Sequence, residues 1–293
     1  MSYRLETNEP LGIGLKRIAR EQIDQALEQL TTAPEGRDEA VHDARKRFKK
    51  IRAILRLVRD EIGQKVYKRE NVCYRDAGRR LSDIRDSYVM IETLDSLADE
   101  LDANVYDELR DKLLAEYEAL KRQMLDHDEA MAEVAATIKK ARRRVKQWPI
   151  KHNDFSAISA GLKRVYKRGR KGLSQAYANP KPENFHDWRK RVKYLWYHTR
   201  LLENMWPGLL DGLIEQTHTL ADVLGDDHDL AELRHLLLTH PELFNRERDM
   251  EDLVELITRR QAELKETARH LGELIYAERP KAFVKRMAQY WQV

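Results

Sequence analysis

The chain is poor in residues that cross-link, bend or anchor a fold. One cysteine, Cys73, occurs in 293 residues, which excludes an internal disulfide and a Cys-rich zinc site. Glycine (12) and proline (8) are scarce and aromatics make up only 8%, so a fold of many short strands and tight turns is disfavoured. No stretch is apolar enough to span a membrane, and the N-terminus lacks the apolar core of a signal peptide. A reducing, aqueous compartment follows, most simply the cytoplasm. The length suffices for one large core or two of ordinary size.

Charge is abundant. Asp, Glu, Lys and Arg make up 35% of the chain, with 54 Lys+Arg against 50 Asp+Glu for a net +4. That mix suits helices. The small net value hides separation, because stretches such as 83–111 are acidic while others are strongly basic. Separated charge points to a local anion site rather than a uniformly basic coat.

One basic segment occurs twice. Val41-His42-Asp43-Ala44-Arg45-Lys46-Arg47-Phe48-Lys49-Lys50-Ile51 returns as Phe185-His186-Asp187-Trp188-Arg189-Lys190-Arg191-Val192-Lys193-Tyr194-Leu195. The repeat extends beyond it. Gly14-Leu15-Lys16-Arg17-Ile18 matches Gly161-Leu162-Lys163-Arg164-Val165, and Leu81 to Asp86 matches Leu224 to Asp229. Arg142-Arg143 before Trp148 matches Lys285-Arg286 before Trp291. Four anchors in constant order divide the chain into halves of roughly 1–148 and 153–293, joined near Trp148-Pro149-Ile150.

Each half reads as about four helices: 9–31, 37–60, 64–99 with a break near Leu81 to Arg85, and 104–147; then 154–178, 182–204, 207–239 with a break near Gly225, and 248–290 interrupted at Pro280. No segment alternates with period two for long. The expected class is all-α, two four-helix bundles related by an internal pseudo-twofold repeat.

On a helix at about 100° per residue, Val41, Ala44, Phe48, Ile51, Leu55 and Val58 form an apolar stripe facing the core. His42, Arg45, Lys49, Arg52 and Arg56 form a second stripe beside it, with Lys46 adjoining. The second copy sets Phe185, Trp188, Val192, Leu195 and Leu202 inward and His186, Arg189, Lys193 and Arg200 on the flank, with Lys190 adjoining. Trp196 replaces Arg52, so the two faces differ. Cations beside a core repel one another and lose hydration. An ordinary solvated helix intersperses carboxylates at i+4; this stripe has none, and a bound anion would offset the repulsion. The bland alternative is a solvated basic face paired with the acidic helices, and its weight falls because the stripe occurs twice.

Helix 1 adds Lys16 and Arg20, with Lys163 and Lys167 as counterparts, while Arg17 and Arg164 read as surface charge. Arg142, Arg143, Lys285 and Arg286 close the halves. Tyr166, Tyr194 and Tyr197 read either as hydroxyl donors to phosphate or as core and rim aromatics. Each stripe histidine either packs as a neutral ring or, flanked by anionic oxygens, protonates and donates from both nitrogens; the basic stripe favours the second.

These residues resemble the CHAD family, the conserved-histidine α-helical domain. The likeness lies in His42-x-x-Arg45-Lys46-x-x-Lys49-x-x-Arg52, its copy from His186 to Lys193, the Arg85-Asp86 and His228-Asp229 elements, and the segment from Lys281 to Trp291. The resemblance implies two helical bundles about a pseudo-twofold axis and a basic groove for inorganic polyphosphate. It also implies association with polyphosphate granules, or a neighbouring triphosphate-cleaving CYTH domain; no room remains for the latter, so a stand-alone member is expected. No cofactor, metal or catalytic residue is expected.

Two other readings compete. The pairs His42-Asp43, His186-Asp187 and His228-Asp229 are similar to those of metal phosphohydrolases, and Gly225-Asp226-Asp227-His228-Asp229 is the best metal candidate. Adjacent helical side chains diverge, however, and the acidic run is more simply a helix start with Asp226 or Asp227 as N-cap. Nucleic-acid binding would use the same charge, but a pI of 8.9 and the lack of a recognised motif count against it. A helical scaffold docking an acidic protein is the blandest reading.

Overall fold

A computed structural model describes the backbone of residues 3–81, 83–123 and 127–292, and their side chains apart from residues 83–86, 121–123, 127 and 128. The Arg85-Asp86 element lies outside the described side chains. The described residues form eleven α-helices joined by short turns, with no strand. They are α1 (Leu11–Thr32), α2 (Arg37–Leu57), α3 (Arg59–Arg80), α4 (Asp83–Asp95), α5 (Ala103–Gln123), α6 (His127–Val145), α7 (Ser156–Ala178), α8 (Pro182–Leu201), α9 (Pro207–Thr239), α10 (Glu247–Ile275) and α11 (Pro280–Trp291). Among them no helix is long and apolar enough to cross a membrane.

The scarce prolines act as punctuation. Pro182, Pro207 and Pro280 stand in the first turn of α8, α9 and α11, where the missing N–H has no helical partner to lose. The helix expected over 104–147 is two helices, α5 and α6, and the start of α3 is kinked at Gly63. The break expected at Gly225 does not occur. α9 runs unbroken through it, so Asp226 and Asp227 are mid-helix residues and cap nothing.

Neighbour relations recur between the halves: α1 packs on α2 and α6 as α7 packs on α8 and α11, and α2 packs on α3 as α8 packs on α9. The core nevertheless crosses the boundary. One apolar cluster contains Phe48, Tyr74, Ile138 and Trp148 together with Tyr166, Trp188, Leu195 and Phe283. A second joins Ile91 and Leu94 of α4 and Leu113 and Tyr117 of α5 to Leu233 and Leu237 of α9 and Leu253 and Ile257 of α10. α7 meets the end of α2 with almost no gap: a Cβ on Gly161 would lie 1.9 Å from the carbonyl oxygen of Leu57. Only glycine permits that approach.

A buried ion pair ties α3 to α6. Glu70 is fully buried; Arg144 grips it with two parallel bonds (Nε to Oε1 2.8 Å, Nη2 to Oε2 2.9 Å), and Arg69 adds a third at 2.7 Å. Forked geometry satisfies both carboxylate oxygens. Arg144 stands next to the Arg142 and Arg143 chosen from sequence. Three consecutive arginines point about 100° apart on a helix, so only the partner decides which one is structural.

Candidate functional site

The apolar stripes orient everything else. Val41, Ala44, Phe48, Ile51, Leu55 and Val58 are buried, as are Phe185, Trp188, Val192, Leu195 and Leu202. With those sides turned inward, the flanking cations of α2 and α8 face each other across one cavity of about 990 Å³. His42, Arg45, Lys49 and Arg52 line it from α2, and His186, Arg189, Lys190 and Lys193 from α8. Tyr194 and Tyr197 complete the α8 wall.

The third wall was not read from sequence as part of the site. His228, Asp229, Glu232 and His235 of α9 line the cavity, followed by Thr239 and His240 at its end. Gly225 brings this helix close, since a Cβ there would lie 2.9 Å from Nη2 of Arg189. The supposed helix break is thus a seat for an arginine. The signal for it was present: Leu220, Leu224, Leu230, Leu233 and Leu237 keep a helical apolar spacing on both sides of Gly225.

The electrostatics are under tension. Burial, then the charge of Arg189, pulls the Lys193 ammonium down to about 8, against the opposing carboxylates of Asp222, Asp229 and Asp226. Burial, then the charges of Lys190 and Arg189, lowers His186. His228 falls to about 4 through burial and then His186, Arg189 and Lys190. The His186 and His228 rings stand 4.1 Å apart. Among the described residues, Nδ1 of His186 and Nε of Arg189 are buried without a hydrogen-bond partner. A polar atom left in that state costs about 1–3 kcal/mol; an anionic oxygen would recover it at Nε of Arg189, and at His186 when the ring carries a proton on Nδ1.

A family model for the CHAD domain matches residues 17–238. The chain belongs to the CHAD family. The match runs from within α1 almost to the end of α9 and takes in both histidine helices and most of the α9 wall, whereas α10, α11 and the Lys281–Trp291 segment lie beyond it. No curated protein matches the chain.

This CHAD fold does not gather every cation chosen from sequence. Lys46 lies outside the cavity lining and pairs with Asp43 at 3.3 Å; Lys190, on the lining, is also paired to Asp187. Arg56 sits behind the cavity wall, over the Tyr194 ring at 4.1 Å and donating to Asn71 at 2.9 Å. Arg200 lies over Trp196 at 5.3 Å. Arg142 is bound by Asp24 and Arg286 by Glu278, and Lys16 reaches the carbonyl of Lys146 at 3.4 Å. Arg20, Arg143, Lys163, Lys167 and Lys285 also lie outside the cavity lining. Arg17, read as surface charge, is instead held by Glu9 and Glu21, and Arg164 by Asp60. Tyr166 is core, donating to the Ile275 carbonyl at 3.0 Å and stacking on Phe283. Asp227, within the run that the rival hydrolase reading offered as a metal candidate, accepts from Gln261 at 2.9 Å and pairs with Lys265 at 3.3 Å, pinning α10 to α9. Among the described residues, no group of three or more His, Cys, Asp or Glu is placed to hold a metal ion.

Proposed function

We propose that this CHAD protein binds inorganic polyphosphate in the cavity between α2 and α8 and holds it without cleaving it. The carrying observation is that six Lys and Arg side chains (Arg45, Lys49, Arg52, Arg189, Lys190 and Lys193) from two repeated helices line one cavity. Polyphosphate bears a charge on every phosphate and flexes to meet cations on both walls. Arginine grips two oxygens in a fixed fork, while lysine follows the chain as a mobile point charge. His186 and His228 add imidazole donors once anionic oxygens lie beside them. The recurring packing of α1, α2 and α6 and of α7, α8 and α11 supports two pseudo-symmetric four-helix repeats that each supply one wall. Attachment to polyphosphate granules would follow from binding alone.

Calorimetric titration with long-chain polyphosphate at two salt concentrations, with duplex DNA alongside, tests this reading. With six cations on phosphates the log–log salt slope is about −4, so a fourfold rise in salt weakens binding by roughly two orders of magnitude. DNA binds much more weakly, and no phosphate is released in Mg²⁺, Mn²⁺ or Zn²⁺. Equal affinity for both polymers would refute a dedicated cavity, and metal-dependent phosphate release would make the protein a hydrolase.

A further inference from the structure

The cavity is longer than its basic stretch. α8 and α9 run antiparallel along it: a Cβ on Gly225 would lie 2.9 Å from Nη2 of Arg189, and the His186 and His228 rings stand 4.1 Å apart. In that register Pro182, the first residue of α8, falls level with Glu232, and α9 continues past it to Thr239. Leu236 stands about 12 Å along the helix from His228. Other elements wall this end. Tyr117 of α5 donates to Asp38 at 2.7 Å, one turn before His42 of α2, and Lys112 of α5 donates to the Leu243 carbonyl at 2.6 Å, just beyond α9. α5 is therefore held between the start of α2 and the end of α9, and α4 packs on both α5 and α9.

The lining changes character where α8 ends. Met90, Leu113 and Leu236 belong to the apolar cluster of α4, α5, α9 and α10, and with Val89 they also line the cavity. Leu113 is buried and the other three are half-buried, so they make a floor with apolar surface turned to the cavity. Glu116, His235 and Thr239 stand exposed around it. Thr239 donates to the His235 carbonyl at 2.8 Å, which leaves its oxygen able to accept. Among the described residues that α4, α5 and the end of α9 give to the lining, none is Lys or Arg. A bare phosphate chain fits this end poorly, because it has no apolar surface and Glu116 and Glu232 repel it. A hydrocarbon chain fits poorly too, because it would cover the polar rim without pairing it. A flat heterocycle on a ribose offers an apolar face to the floor and N–H and hydroxyl groups to the rim.

We infer that the cavity takes a nucleoside polyphosphate as well as the inorganic chain, with phosphates on the α2 and α8 cations, base and ribose past His228 on Val89, Met90, Leu113 and Leu236, and Glu116 accepting from the base. The inference rests on the reading of the cations as a phosphate site and adds a second ligand class to it. Nucleotide and long-chain polyphosphate then compete, since both use Arg189 and Lys193.

The test is calorimetric titration with ATP and with inorganic triphosphate in metal-free buffer. On charge alone triphosphate binds more tightly, because it has the same number of phosphates and more negative charge. With the base seated, ATP binds about tenfold more tightly than triphosphate, since covering roughly 60 Å² of apolar surface is worth about one decade. The double variant Met90→Gln/Leu236→Gln brings ATP down to the level of triphosphate and leaves triphosphate within about twofold of wild type, which shows that the basic stretch is intact. Saturation-transfer NMR on wild type checks the pose without a variant: irradiating the protein methyl groups labels the adenine protons, and excess triphosphate removes the signal. Where the variant loses triphosphate too, that transfer alone decides. ATP binding no tighter than triphosphate, or no transfer to the base, would overturn the nucleotide site and leave polyphosphate binding in place. Failure of Arg189→Gln to weaken triphosphate, long-chain polyphosphate and ATP would overturn the cavity reading itself.

Discussion

Lowering the pH should tighten polyphosphate binding through His228. Its imidazole is held neutral, with a pKa of about 4 against an ordinary 6.5, by burial and then by His186, Arg189 and Lys190. On its own helix Glu232 lies 3.8 Å away, and Asp229 is adjacent in sequence. A polyanion against the ring restores an ordinary value, so binding takes up a proton in the window between about 4 and 6.5 and is proton-neutral at this group above it. Full restoration makes binding about tenfold tighter at pH 5.5 than at 7.5. Solvent screening at a partly open ring reduces that to about threefold. Two imidazoles 4.1 Å apart share the gain, since one charged ring disfavours the other. Lys193 contributes separately at alkaline pH: its pKa of about 8 rises when an anion arrives, so affinity falls as pH climbs above about 8. The assay is calorimetry with long chains, whose internal phosphates stay ionised, in two buffers of different ionisation enthalpy. His228→Asn reduces the acidic limb to the share of His186 and leaves the alkaline limb intact. A wild-type affinity that is flat or falling between pH 7.5 and 5.5, with helicity unchanged, would refute the reasoning.

Neutralising Arg45, Lys49, Arg189 and Lys193 together should abolish polyphosphate binding while circular dichroism stays helical; wild-type affinity in that variant would remove the site. Glu70→Ala should destabilise the fold by about 1–3 kcal/mol in denaturant melts, because part-exposed Arg144 and Arg69 lose their shared, charge-assisted hydrogen bonds to Glu70. His198 is fully buried, bonded to the Ala53 carbonyl at 2.9 Å, and depressed to about 4, chiefly by burial. Its unfolded form gains a proton below about 6.5 that the folded form refuses, so roughly 3 kcal/mol of stability present above that pH is lost as pH falls towards 4. Replacing it with an apolar residue should flatten the acid limb of the stability profile, and an unchanged limb would show that other groups set it.

The apolar stripe of α2 and its copy on α8 were legible because helical spacing separates Phe48 and Trp188 from the cations beside them. The repeat then marked Arg45, Lys49, Arg189 and Lys193 as a shared device. Sequence spacing says which helix face a residue occupies and nothing about which helices meet. Lys16, Arg142 and Arg286 therefore looked equivalent to the cavity cations, although Arg142 and Arg286 are engaged by Asp24 and Glu278. The α9 wall was missed for a different reason. Glycine beside two aspartates is a common helix end, and only the neighbouring Arg189 side chain reveals that the missing Cβ makes room for it. The lowered pKa of His186 likewise depends on burial and on cations packed around it in space.

The cavity lies on the seam of the molecule, with one basic wall from each half of the chain, and the cluster of α4, α5, α9 and α10 is also shared. Neither half of the chain holds its core or its cavity wall alone. Cut near Pro149, each fragment would present part of a core to water and one wall of the cavity. The two fragments mixed together would rebuild the cavity only by reassociating. The two halves are interdependent: a substitution anywhere that shifts how they dock changes the spacing between α2 and α8, and so the width of the cavity, without touching a single lining residue.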